Sequence, residues 1–381
     1  MKTKLILLAA ATSFAAIGVV SAATQYVYVT GSTAARAAFY TAVIDNNTVF
    51  DAAPTFVGQS SATPASCSFM SFHGNIGGND TIVKCHWSGS EGGIADLVGG
   101  TETFLDDAAV SDPGTPGPTI SSAVDLAMAD NDKAFSKNPG AAITGTKVCV
   151  IPFAFVKEKG SAAGLTGVTD QNFRQALRGG TQLSMFTGNS ADTTFVYVTG
   201  RDNNSGTRVN TFGVTGYGIF AAPFQLQVNS DGSMHDQGGG TYLGEFGYAS
   251  GGSIVTQMGF DLGQATSVDV SPNGTGVEHF SVVGYLGRSD ANSATAPAVG
   301  GVELSYNGVM ESPTTVKEGV YTFWGNEYIY RKNTVSSQAT TVFNKLAAAA
   351  GISGHADGAT TIKLADMHVV RNGPTSDPAH K

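Results

Sequence analysis

Arg201-Asp202-Asn203-Asn204-Ser205-Gly206-Thr207-Arg208 follows a β-rich run from Thr193 to Val198 and places a guanidinium, two hydroxyls and a glycine turn in one short stretch. A cation, a small-residue turn and then Ser-Gly-Thr opening a helix let backbone N–H groups, hydroxyls and a guanidinium converge on one point. That is the chemistry of an oxyanion cradle. Two earlier stretches share the pattern. Tyr26 to Val29 leads into Thr30-Gly31-Ser32-Thr33 and a helix-like Ala34 to Ile44, and Thr81 to Trp87 leads into Ser88-Gly89-Ser90-Glu91-Gly92-Gly93 and Ile94 to Val98. Strand, Gly/Ser turn and helix N-terminus is how α/β proteins set ligands at the carboxyl ends of strands, so the three turns are expected to share one cleft.

The remaining elements must hold those turns in place. Val124 to Asp130 reads as a buried strand ending in a carboxylate, and Val148 to Phe155 as a continuous apolar run suited to a parallel strand or a crossover between lobes. Gln171 to Leu177 reads as a short helix ending at Gly179-Gly180, and Ser337 to Ala350 as a longer one stopped by Gly351. Ser111 to Pro118 and Ser289 to Val299 read as loops, as does the Gly-containing stretch between Cys67 and Cys85. From Gln225 to Gly274 the chain is Gly-rich with weak periodicity.

At 381 residues the chain has room for two domains, and 41% apolar with only 13% charged residues describes a packed protein with a neutral polar surface. A net charge of −9 argues against a nucleic-acid partner, because no basic stripe is available to replace phosphate counterions. The N-terminus has the form of a cleaved secretory signal over residues 1–22: Met-Lys-Thr-Lys, an apolar run from Leu5 to Val20, and small residues before Ala23. Its alternative is a membrane anchor. Export to an oxidising compartment makes a Cys67–Cys85 disulfide reasonable, with two reduced loop thiols as the alternative; Cys149, within Val148 to Phe153, reads as a buried core thiol.

Signatures of catalysis are thin. There is no Gly-x-Ser-x-Gly elbow and no His-Glu-x-x-His, and Gly140 to Lys147 is not a phosphate loop because its lysine follows Thr146 instead of a glycine. Cys67, His73, Cys85 and His86 have a faint metal-ligand look, and a disulfide beside two loop histidines is the preferred reading. No catalytic residue, metal or cofactor is expected.

In order along the chain, these motifs resemble the periplasmic phosphate-binding proteins that serve ABC transporters. Gly31-Ser32-Thr33 is similar to their first anion loop, and Ser88 to Ile94 to the second. Val124 to Asp130 is similar to the strand ending in their ligand-facing Asp, with Ala129 where a Ser is usual. Leu165-Thr166 with Phe173 to Gly179 resembles the segment before a small helix of the second lobe, and Glu311 to Tyr321 with Tyr328 to Tyr330 the closing segment. Arg201 keeps the family's spacing to Ser205-Gly206-Thr207, whereas Asn203 stands where the family has the Asp that holds the guanidinium. The segments Ser60 to Asn79 and Gln225 to Ser253 are additional.

The resemblance implies a two-lobed α/β fold of the type II periplasmic-binding-protein kind, with mixed sheets and an interlobe ligand cleft. Lobe one would take residues 23–152 and 304–381, and lobe two 153–303. The implied function is an exported, periplasmic or secreted, monomeric solute-binding protein that holds inorganic phosphate or a related oxyanion for ABC transporter membrane subunits. The alternative is a secreted structural or surface-interaction protein that keeps the fold without phosphate binding; a phosphate-directed hydrolase stands third.

The expected ligand residues are Ser32, Thr33 and Ala34 on one wall, Ser90 on a second, and Ser205, Gly206 and Thr207 on a third, with Arg201 as a bidentate cation. Asp130 would discriminate, since a carboxylate repels an anion that has no proton to donate, which favours hydrogen phosphate over sulfate. Each residue also has a plain structural reading: Ser32, Thr33 and Ser90 as helix caps, Asp130 as a turn cap, Arg201 as a surface ion-pair residue.

Overall fold

The structure is a computed structural model that describes residues 23–114, 116–138, 142–228, 234–236, 247–260 and 280–381. The proposed signal segment and most of the Gly-rich Gln225 to Gly274 stretch lie outside the described residues.

The chain opens with β1 (Gln25–Gly31), whose alternating Val27 and Val29 are fully buried. Helix α1 (Arg36–Ile44) turns Phe39, Ala42 and Val43 inward, and β2 (Thr55–Gln59), β3 (Phe69–Ile76) and β4 (Asn79–His86) form an antiparallel meander. The stretch between Cys67 and Cys85, expected to be a loop, is therefore largely hairpin. Gly77 and Gly78, both at positive φ, close it as a two-residue turn, and those glycines had suggested irregular chain.

Helix α2 (Ser90–Gly99) precedes a separate hairpin, β5 (Thr101–Leu105) with β6 (Thr119–Ala123), and β7 (Leu126–Ala129) returns to the sheet. There β1 lies between β4 and β7, parallel to both. Their carboxyl ends sit side by side and release Ser32, Ser90 and Asp130.

Strand β8 (Ile143–Lys157) is long enough to belong to two sheet halves. Its residues from Ile143 to Pro152 pair with β16 (Trp324–Lys332), which also pairs with β7; its residues from Phe153 to Lys157 pair with β14 (Phe280–Gly287) and, in part, with β15 (Val302–Tyr306). Side chains on both faces of the second half are buried: Phe153 and Phe155 in the main core, Ala154 and Val156 in a cluster with Ile254, Met258 and Leu286. This is why the segment reads as unbroken apolar sequence instead of an alternating one.

After β8 the chain forms β9 (Gly167–Val168), α3 (Asp170–Ala176), β10 (Thr181–Gln182), α4 (Ser184–Thr187) and β11 (Phe195–Thr199). Strand β11 runs parallel to β14. Helix α5 (Gly206–Val214) follows β11, the short pair β12 (Leu226–Val228) and β13 (Met234–Asp236) comes next, and α6 (Gly251–Met258) and α7 (Arg288–Thr295) flank β14. Helix α7 occupies the stretch from Ser289 expected to be a loop: it is rich in small polar residues with no apolar stripe, and Ala291, Ala294 and the ion-paired Arg288 anchor it. Helices α8 (Pro313–Lys317) and α9 (Ser337–Ala347) complete the chain's return.

Candidate functional site

The site lies where β8 passes from one sheet half to the other. A cleft of about 70 Å³ is lined there by Thr33, Ala34 and Arg36 from the β1–α1 connection, Ile151 from β8, Arg201 and Thr207, Ser250, and Gly287 to Asp290. Since roughly 10–15 Å³ of such space holds one water, the cleft has room for an oxyanion of a few heavy atoms.

The first turns of α1, α5 and α7 and the N-cap Ser250 of α6 contribute to its walls, so four helix N-termini bring their positive ends to one place. Two strand ends supply this convergence in the second half. Parallel β11 and β14 deliver Arg201 and the Arg288-Ser289-Asp290 turn, just as β1, β4 and β7 deliver their residues in the first.

Of the residues expected from sequence, Thr33, Ala34, Arg201 and Thr207 line the cleft. Arg201 is only 3% exposed; its Nε and Nη2 donate to the carbonyls of Tyr248 (3.1 Å) and Ala249 (2.8 Å), and its backbone N–H to the Tyr285 hydroxyl. The surface ion-pair reading of Arg201 does not hold. Asn203 faces a different cavity with Glu91, Lys137 and Arg208, so backbone carbonyls hold the guanidinium where a carboxylate at 203 had been the familiar device.

Ser32, Ser90, Asp130, Ser205 and Gly206 are buried and do not line the cleft. The Ser90 hydroxyl donates to Asp130 Oδ1 at 2.7 Å and accepts from the Asp130 N–H, and the Thr207 hydroxyl reaches Oδ2 at 3.4 Å. Asp130 Oδ1 sits against the α5 terminus: a Cβ at Gly206 would lie 1.5 Å from it, so only glycine fits. Burial pushes the Asp130 carboxyl up to about 6, against the pull of Ser90 and of the Arg201 charge.

Ser205 caps α5, its hydroxyl accepting from the Arg208 N–H. Ser32 and Thr33 do not cap α1, which has no side-chain cap, and Ser90 follows the N-cap Gly89. Instead Ser32 Oγ donates to Glu327 Oε2 at 3.2 Å; that fully buried carboxyl is held well above the carboxylate range by desolvation and by Asp130.

Sequence reasoning missed Arg36 and Asp290. Both are half-buried, both line the cleft, and neither side chain takes a hydrogen bond or ion pair among the described residues; each feels the other's field, Arg36 also that of Cys67 and Asp290 also that of Arg201. Burial raises the Asp290 carboxyl and lowers the Arg36 guanidinium from their ordinary values. Asp290 had a legible signal, because Phe280 to Gly287 followed by Arg288-Ser289-Asp290 is a further strand, turn and helix start. Arg36, in the first turn of an Ala-rich helix, had none.

The expected Cys67–Cys85 disulfide is not formed: both thiols, like Cys149, are free and buried. Cys67 Sγ faces the carbonyls of Ser61 and Thr63 in its own loop, whereas Cys85 is fully enclosed within β4. Among the described residues no group of His, Cys, Asp and Glu is placed to hold a metal.

This architecture is an α/β arrangement with a large mixed sheet, the type II periplasmic-binding-protein fold. Among solved structures the chain is similar to a candidate phosphate ABC transporter substrate-binding protein from Clostridium perfringens with bound phosphate, at 14% identity and a TM-score of 0.51 over 89% of this chain and 100% of that one. It is also similar to an ABC-type phosphate transport receptor from Vibrio cholerae, at 12% identity and a TM-score of 0.45 over 85% and 94%. No protein-family model and no curated protein matches the sequence.

Proposed function

We propose that this chain is an exported, periplasmic or secreted solute-binding protein that closes around phosphate or a similar oxyanion and presents it to ABC transporter membrane subunits. It acts as a monomer and performs no chemistry on its ligand. One observation carries the reading: the half-buried Arg36 and the buried Arg201 converge with four helix N-termini on a cleft of oxyanion size. A partly desolvated guanidinium without a partner is costly, and an anion relieves that cost.

Thr33, Ala34, Arg201 and Thr207 form the ligand walls, with Ser32, Ser90, Asp130, Ser205 and Gly206 setting their positions from behind. The lobe division at 152/153 and 303/304 belongs to the same proposal, and the pairing of β15 with the second half of β8 favours a return nearer Trp324.

Calorimetry on the mature chain, residues 23–381, tests it. A micromolar complex needs roughly 8 kcal/mol, which a few charge-assisted hydrogen bonds supply. Low-micromolar or tighter phosphate binding is expected, and Arg201→Ala should abolish it while circular dichroism still reports a folded chain; an unchanged affinity removes Arg201 from the site. Absence of binding to phosphate and sulfate alike would favour the second reading, a secreted structural or surface-interaction protein. That reading draws on the mutual satisfaction of Ser90 and Asp130 without any ligand.

A further inference from the structure

Four charged side chains line the cleft; Arg288 is paired with Glu303 and Glu311, and the pairing of Arg36, Arg201 and Asp290 is incomplete. Asp290 stands in the first turn of α7 with Oδ2 against the α6 terminus, where a Cβ at Gly251 would lie only 1.9 Å away. It feels both Arg36 and Arg201, yet neither guanidinium comes within the 4.0 Å of an ion pair and no described group donates to its carboxylate. Arg36 is likewise without a partner among the described residues, and Arg201 has N–H groups beyond the two engaged by carbonyls. The gap between one carboxylate and two guanidiniums is therefore a space that a ligand bridges.

Such a space selects a particular anion. Charged oxygens suit the guanidiniums and helix N-termini, whereas an oxygen turned toward Asp290 must carry hydrogen, because two facing anions repel. Asp130 is poorly placed for this task. Its oxygens are taken by Ser90 and Thr207, it is wedged against Gly206, and it does not line the cleft.

Resting on the oxyanion reading above, we propose that Asp290 reads the ligand's proton: it accepts the P–OH hydrogen of hydrogen phosphate while Arg36 and Arg201 take the charged oxygens, and so it excludes a fully deprotonated dianion such as sulfate. Asp130 is then a positioning residue that acts through Thr207.

The test is calorimetry with inorganic phosphate and with sulfate on the mature wild type, Asp290→Asn and Asp130→Asn, each checked by thermal melting. Asp290→Ser serves as a second variant with the same expectation. The wild type should prefer phosphate, and Asp290→Asn should cut the phosphate-to-sulfate affinity ratio by about tenfold or more, mainly by tightening sulfate. Asp130→Asn should weaken both anions together with little change in their ratio. A ratio left intact in both Asp290 variants, or lost in Asp130→Asn instead, overturns the assignment while leaving the oxyanion site standing. A wild type that binds neither anion removes the site itself, and Asp290's role with it.

Discussion

Asp130 illustrates how a residue type can be legible while its task is not. Its position at the end of a strand was readable from Val124 to Asp130, but not that Ser90 and Thr207 would occupy its oxygens, since those contacts join segments far apart in sequence. The same environment gives a pH dependence. Burial raises the folded carboxyl to about 6, above the roughly 3.9 of an unfolded Asp, so between those values the folded chain binds more protons than the unfolded one. The resulting stability is complete below about pH 4 and is lost as pH rises through about 6. Asp96, also lifted to about 6 by burial and by Glu102, acts in the same sense. Asp51, held low by the N–H groups of Gly78 and Gly77, has the opposite sign and acts only as pH falls below the usual carboxylate range. Denaturation midpoints of the mature chain should therefore fall between pH 5 and pH 7, and Asp130→Asn should flatten that slope. An equal slope in wild type and variant would mean that Asp130 titrates alike in both states.

At the scale of elements, the strand, Gly/Ser turn and helix pattern located β1–α1, β4–α2 and β11–α5 because each carries its own apolar strand and its own turn chemistry. Helix α7 escaped because its residues from Arg288 to Thr295 contain no apolar periodicity; β8, α6, β14 and β15 define its buried side. Strand β8 was legible as an apolar run, while its double membership was not. Phe155 sits where the two halves meet, its ring 4.6 Å from Phe323, 4.7 Å from Phe173 and 5.4 Å from Tyr306. Phe155→Ala should cost about 3–5 kcal/mol in urea denaturation, the range for emptying a packed aromatic site. A loss under about 1 kcal/mol would show that the neighbours collapse into the space.

For the whole molecule, the cleft draws Thr33, Ala34 and Arg36 from the β1–α1 connection and Arg201, Thr207 and Asp290 from the elements that follow β11 and β14. A ligand that touches both walls favours the closed arrangement by its differential affinity for it. Small-angle scattering of the mature chain should give a smaller radius of gyration with saturating phosphate than without; equal radii alongside calorimetric binding would place the closure in the unliganded state.

The insertion of β16 between β7 and β8 also has a bearing on synthesis. A nascent chain that has emerged only as far as β15 carries both neighbours of β16 but not β16 itself, leaving two open sheet edges of the kind that recruit foreign strands. Closure of the sheet between β7 and β8 thus waits for β16 to leave the ribosome. Until then both edges remain open surfaces of the kind that a chaperone recognises.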